Sequence, residues 1–154
     1  MTQEIQNTNA LSIIDNVNLQ QVSGTMQKIA QFQAVVQQTL KQNHDFGIVP
    51  GTGSKPTLLK PGAEKILMLL GLSSEYEIVE KVQDYDKGFF AYTVRCILTK
   101  NEQVITEGLG HCNSREKKYM SEKQDVYMLG NTCLKMAKKR AQVDATLTVA
   151  ALSE

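Results

Sequence analysis

The run Phe90-Ala91-Tyr92-Thr93-Val94-Arg95-Cys96-Ile97-Leu98 constrains the fold more than any other part of the chain. Phe90, Tyr92, Val94, Cys96 and Leu98 recur every second residue, the period of a half-buried strand. Turn-forming residues flank it, Asp84-Tyr85-Asp86-Lys87-Gly88 before and Lys100-Asn101-Glu102 after. The pattern predicts three antiparallel strands over 75–84, 88–100 and 103–113, joined by two hairpins. Arg95 falls on the face opposite the stripe, beside Phe89, Thr93 and Ile97.

Around this meander the period changes to that of helices. Leu19, Val22, Met26, Ile29, Phe32, Val36 and Leu40 step by three or four and predict a helix over 19–42 with a glutamine-rich outer face. That face is either solvent surface or a contact with another subunit. Pro61 at a first-turn position opens a short helix to Leu70, with Ala63, Ile66, Leu67 and Leu70 inward and Gly71 as its stop. Residues 114–123 read as a charged loop. A long helix follows over about 124–152, with Val126, Leu129, Cys133, Met136, Val143, Leu147 and Ala150 as its apolar stripe. The chain stops at Glu154 without a helix-ending signal, so a continuation beyond it is expected. The order α-α-β-β-β-α defines an α+β fold with a β-β-β-α core. Residues 1–18, rich in Gln, Asn and Thr, read as a flexible N-terminal arm. Residues 19–154 read as a single α+β domain, a size that suits one core in a chain of 154 residues that is 42% hydrophobic.

The stretch 44–66, HDFGIVPGTGSKPTLLKPGAEKI, gathers glycines with three prolines and three lysines. It fails the nucleotide-binding motifs. Lys55 is separated from Gly53 by Ser54, and Pro56 stands where a phosphate loop needs Ser or Thr. Its glycines still let successive backbone N–H groups converge on an anion. The helix start after Pro61 adds a positive dipole end. Lys55, Lys60 and Lys65 add charge. The stretch is either a clamp on nucleic-acid phosphate or a rigid Gly/Pro connector between subunits.

Catalysis finds little to work with. His44 and His111 are the only histidines, and no catalytic residue, metal site or cofactor is expected. Cys96, Cys112 and Cys133 form no CxxC pair, and an odd count without a secretory signal points to a reducing, intracellular setting. No apolar run approaches the ~20 residues of a membrane span.

Charge is the strongest local signal. The formal net charge is only +1, yet Ser114–Arg140 holds eight basic residues against three acidic ones, a local +5, and the rest of the chain carries −4. On a helix, Lys135, Lys138, Lys139 and Gln142 share the face opposite the expected stripe. This is either a rail for phosphates or a solvated face. Arg140 falls inside the stripe, where an intrahelical Arg140–Asp144 pair, an interface or a ligand would satisfy it. Lys117, Lys118 and Arg95 complete the candidate DNA-binding set of Lys138, Lys139, Lys135, Arg140, Lys55 and Lys60.

The sequence Ala137-Lys138-Lys139-Arg140-Ala141-Gln142-Val143-Asp144-Ala145, after a three-stranded meander, resembles single-strand annealing proteins. These include the phage Sak-type recombinases and the eukaryotic recombination mediator Rad fifty-two. The family often shows alanine, two basic residues, alanine, then aspartate at this spacing. It commonly has a second basic pair after the aspartate, where this chain has Leu147-Thr148, and an acidic residue at the place of Arg140. The resemblance covers residues 75–152 and carries a DNA-contacting role to Lys138 and Lys139. The segment 60–65 also looks like a recurrent feature of phage-type recombination proteins.

The resemblance implies a non-enzymatic protein that binds single-stranded DNA by its backbone and anneals complementary strands in homologous recombination. It implies a homo-oligomeric ring or filament, a cytoplasmic setting in a bacterial or phage-infected host cell, and a single-stranded DNA-binding protein as a partner. The other expectation is a structural protein that assembles through its helices without binding DNA.

Overall fold

The structure, a computed structural model, describes residues 11–48, 55–121 and 125–150. The chain divides into two compact units, Met1–Gln37 and Gln38–Glu154. In the first, residues 11–15 form a short helical piece, and α1 spans Leu19–Thr39. Asn18 caps α1, its Oδ1 accepting the N–H groups of Gln20 and Gln21. The expected apolar stripe is largely on this helix, but Leu19, Val22, Met26 and Ile29 are exposed, and of the stripe only Val36 and Leu40, just past the helix end, are buried.

The second unit follows the predicted order. A two-stranded ladder pairs β1 (Phe46–Gly47) with β2 (Thr57–Leu58), antiparallel. It lies inside the stretch 44–66, where two-residue strands leave no period for the sequence to show. Residues 49–54 lie outside the described residues. Then come α2 (Lys60–Leu70), β3 (Ser73–Asp84), β4 (Phe89–Lys100), β5 (Gln103–Asn113), a 3-10 turn at Lys117–Tyr119 and α3 (Leu129–Ala150). The three long strands form an antiparallel meander in the order β3-β4-β5. The fold is α+β, as expected.

Local chemistry explains the corners. Pro61 stands in the first turn of α2, and Gly71 closes it at φ 69°, ψ 35°. Gly88 ends the first hairpin turn at φ 63°. Asn101 and Glu102 both have positive φ, 53° and 67°, as a two-residue type I′ hairpin requires.

The core lies between one sheet face and α3. Phe90, Tyr92, Val94, Cys96 and Leu98 are buried there with Leu67, Leu129 and Cys133. Three expectations change. Helix α3 begins at Leu129 rather than near 124. Val126 to Met128 form a turn held by Asp125, whose Oδ1 accepts the Tyr127 N–H. The C-terminal limit of 152 falls outside the described residues. The buried face of α3 keeps Leu129, Cys133 and Ala150 of the expected stripe, but between them it is Ala137, Ala141 and Ala145, with Gln142 and Thr146, while Met136, Val143 and Leu147 are only partly buried. The charged loop is partly core. Ser114 is buried, its Oγ accepting the Phe90 N–H, and Tyr119 packs into the cluster.

Candidate nucleic-acid interface

The site begins with the seating of α3 on β5. Gly108 and Gly110 face the helix. A Cβ at Gly108 would collide with the backbone of Ala141 and Ala145, and one at Gly110 with that of Ala137 and Ala141. Glycine on the strand and alanine on the helix therefore bring the two backbones together. Arg140 and Asp144 consequently reach the outer edge of β5.

At that edge Arg140 Nη1 donates to the His111 carbonyl at 2.7 Å. Nη1 and Nη2 also grip Glu116 Oε2 and Oε1, each at 2.9 Å. Glu116 Oε2 accepts the Asn113 N–H at 3.0 Å as well. Hydrogen bonding from Arg140 holds the Glu116 carboxyl down at about 2, and the same bond raises Arg140 further. The expected Arg140–Asp144 pair is replaced. A bidentate carboxylate delivered by the 114–119 segment suits the planar guanidinium better than an i,i+4 partner. Asp144 Oδ2 instead accepts the Leu109 N–H at 2.9 Å.

Beside this network lies a cleft of about 420 Å³. The approach to α2 (Thr57, Leu58, Leu59) forms one side, and α3 forms another with Met136, Val143 and Leu147. Lys118, Lys139 and Arg140 also line it. The start of α2 adjoins it, its N-cap Leu59 offering no side-chain capping bond. Burial lowers the Lys139 pKa, and the positive charges of Lys118, Arg140 and Lys60 lower it further. Cations from three segments thus act on Lys139, and among the described residues only Arg140, of the three cations that line the cleft, is gripped by a carboxylate.

The other candidates are distributed around this point. Lys60 is 3.7 Å from Glu64 on its own helix. Lys138 places its Nζ 4.4 Å from the centre of the Tyr76 ring, a cation–π contact that turns it toward β3. Lys118 stands 5.0 Å over Tyr119. Lys135 and Lys117 are exposed, and neither lines the cleft. Gln142, expected beside the lysines, is buried because the inward face of α3 is rotated from the one predicted. Arg95 is on the far side of the sheet, 3.2 Å from Glu77 and 3.7 Å from Glu107, so it joins none of these cations. Lys55 is exposed and is not part of the cleft lining.

Lys65 has another task. Its Nζ lies 2.7 Å from Oδ2 of the fully buried Asp45. The Lys41 N–H donates to the same oxygen at 2.8 Å, and His44 Nδ1 is 2.8 Å from Oδ1. The Lys65 bond first, then those of Lys41 and His44, hold the Asp45 carboxyl well below the usual carboxylate range, against its desolvation. The Asp45 carbonyl accepts the Leu59 N–H at 2.9 Å and lies against Gly62, where any Cβ would collide with it. This clasp fixes where α2 begins. Sequence reasoning missed it because its partners are 20 residues apart.

No protein-family model matches the chain, and no curated protein matches it significantly. Among the described residues, no helix is long and apolar enough to cross a membrane.

Proposed function

We propose that the protein binds single-stranded DNA through its phosphates, without sequence preference, and anneals strands as a homo-oligomer in recombination. The observation that carries this reading is the gathering of Lys118, Lys139 and Arg140 at one cleft, with the charge of Lys60 near enough to act on Lys139. Lys139 is half-buried there and has no carboxylate partner among the described residues. A half-buried lysine repelled by neighbouring cations is stabilised by an anion, and a chain of phosphates supplies one to each segment. The role is non-enzymatic: it consists of holding a strand in register. One such cleft spans few nucleotides, so assembly into a ring or filament supplies avidity. This agrees with the resemblance of the 137–145 segment to annealing proteins, with the emphasis moved from Lys138 to Lys139 and Lys118.

The test is the affinity of a Lys118→Ala/Lys139→Ala variant for fluorescent oligonucleotides across a salt series. Binding should weaken alike for all sequences. The slope of log affinity against log salt should fall by about 0.7 for each phosphate left without its lysine. Unchanged affinity at low salt would overturn the reading.

A second reading has one observation in its favour. The exposed apolar residues Leu19, Val22, Met26 and Ile29 of α1 suit a helix that assembles with another chain. A purely structural protein would form a stable complex with no response to oligonucleotide in size-exclusion chromatography.

A further inference from the structure

We infer that the cleft receives one base of the bound strand, while the adjoining phosphate rests on Lys118 and Lys139. This rests on the single-strand reading above. Phosphates alone need only a polar surface. This cleft is instead largely apolar, with Leu58, Leu59, Met136, Val143 and Leu147 in its lining. Its volume of about 420 Å³ falls within the roughly 300–1,000 Å³ of small-molecule sites. A lining that joins aliphatic surface to cations matches a nucleotide, whose flat base is apolar on both faces and whose phosphate is charged.

The charges also set a direction. Lys139 and Leu147 are eight residues apart on α3, about 12 Å along its axis. Lys139 brings positive charge to one end, together with Lys118. At the other, Asp144 lies between Val143 and Leu147 and repels phosphate. The phosphate therefore belongs at the Lys139 end and the base at the Val143–Leu147 end. Among the described residues, no aromatic side chain lines the cleft. The base is held between aliphatic and thioether groups, a contact open to every base.

The experiment compares a 20-mer of thymidylate with a 20-mer of the same backbone carrying abasic tetrahydrofuran units, using the full chain at one salt concentration. The abasic strand should bind roughly tenfold more weakly, the scale of one well-held base. Val143→Phe, which fills the cleft, should lower thymidylate affinity to the abasic level and leave abasic binding unchanged. Leu147→Phe should do the same, and circular dichroism checks that each variant is folded. Equal binding of the two strands, or equal weakening of both by Val143→Phe, overturns the base site while leaving phosphate binding intact. Binding of neither strand overturns both readings.

Discussion

Glu116 holds Arg140 with both carboxylate oxygens, each 2.9 Å from a guanidinium nitrogen. The same carboxylate accepts the Asn113 N–H, and the same guanidinium donates to the His111 carbonyl. One ion pair thereby ties the 114–119 segment, the end of β5 and the middle of α3 together. Arg140 is chiefly structural, although it stands in the most basic part of the chain.

Removing that pair should cost stability. Arg140→Ala should lower the unfolding free energy by about 1.5–3 kcal/mol, the range for hydrogen bonds to charged groups. Asp144→Asn keeps an acceptor for the Leu109 N–H and should cost under about 1 kcal/mol. Urea denaturation of both variants checks the order. An Asp144→Asn loss equal to that of Arg140→Ala would contradict it.

Acid should expose the same contacts. The Glu116 carboxyl falls from an ordinary 4.5 to about 2 in the fold. Its stabilising contribution is therefore complete above about pH 4.5 and is lost as pH falls toward 2. Asp45 is depressed in the same direction and adds to the loss. Melting temperatures should hold steady from pH 7 to about 5 and then decline. Glu116→Gln should start lower at pH 7 and decline less steeply, and a parallel curve would refute the assignment.

Gly110 tests the seating of α3. Gly110→Ala should destabilise by about 1–3 kcal/mol, since a methyl group there overpacks against the helix backbone. Gly24, inside α1, has nothing within 4 Å of a would-be Cβ. Gly24→Ala should instead stabilise by about 0.5–1 kcal/mol. Thermal melts of the two variants should move in opposite directions.

The thiols offer a probe of the core. Cys96, Cys112 and Cys133 are free and fully buried. Burial pushes Cys112 up to about 12 and raises the other two. At pH 8 a disulfide reagent should modify none of them in the native protein and all three in denaturant. Rapid native modification of any one would show that the sheet and α3 separate.

The meander was legible in the sequence almost to the residue. Alternation at Phe90–Leu98 and the turn chemistry at Asp84–Gly88 and Asn101–Glu102 are local signals. The inward face of α3 was legible only at Leu129, Cys133 and Ala150, because large apolar residues ordinarily mark such a face and between those positions they do not. Met136, Val143 and Leu147 line the cleft, while alanines face the sheet. A signal for this was present: Gly108 and Gly110 two apart on a strand, and Ala137, Ala141 and Ala145 four apart on a helix. Each spacing places small residues on one face, and two such faces fit each other. At the site, Lys139 and Lys118 were legible as charge. That Lys65 would serve Asp45, and Arg140 would serve Glu116, depends on contacts between distant segments.

The capping of β5 limits how copies of this chain can add to one another. Asp144, Arg140 and Glu116 occupy the Leu109 N–H, His111 carbonyl and Asn113 N–H along its outer edge. Another strand would have to displace all three to pair there. The β3 edge carries no such seal among the described residues, only the irregularity between Ile78 and Glu80. Two chains that meet β3 to β3 form a self-complementary contact, which closes at a pair. Any larger closed or open assembly must recruit a surface outside the sheet, so its growth and its strand pairing are separable by mutation.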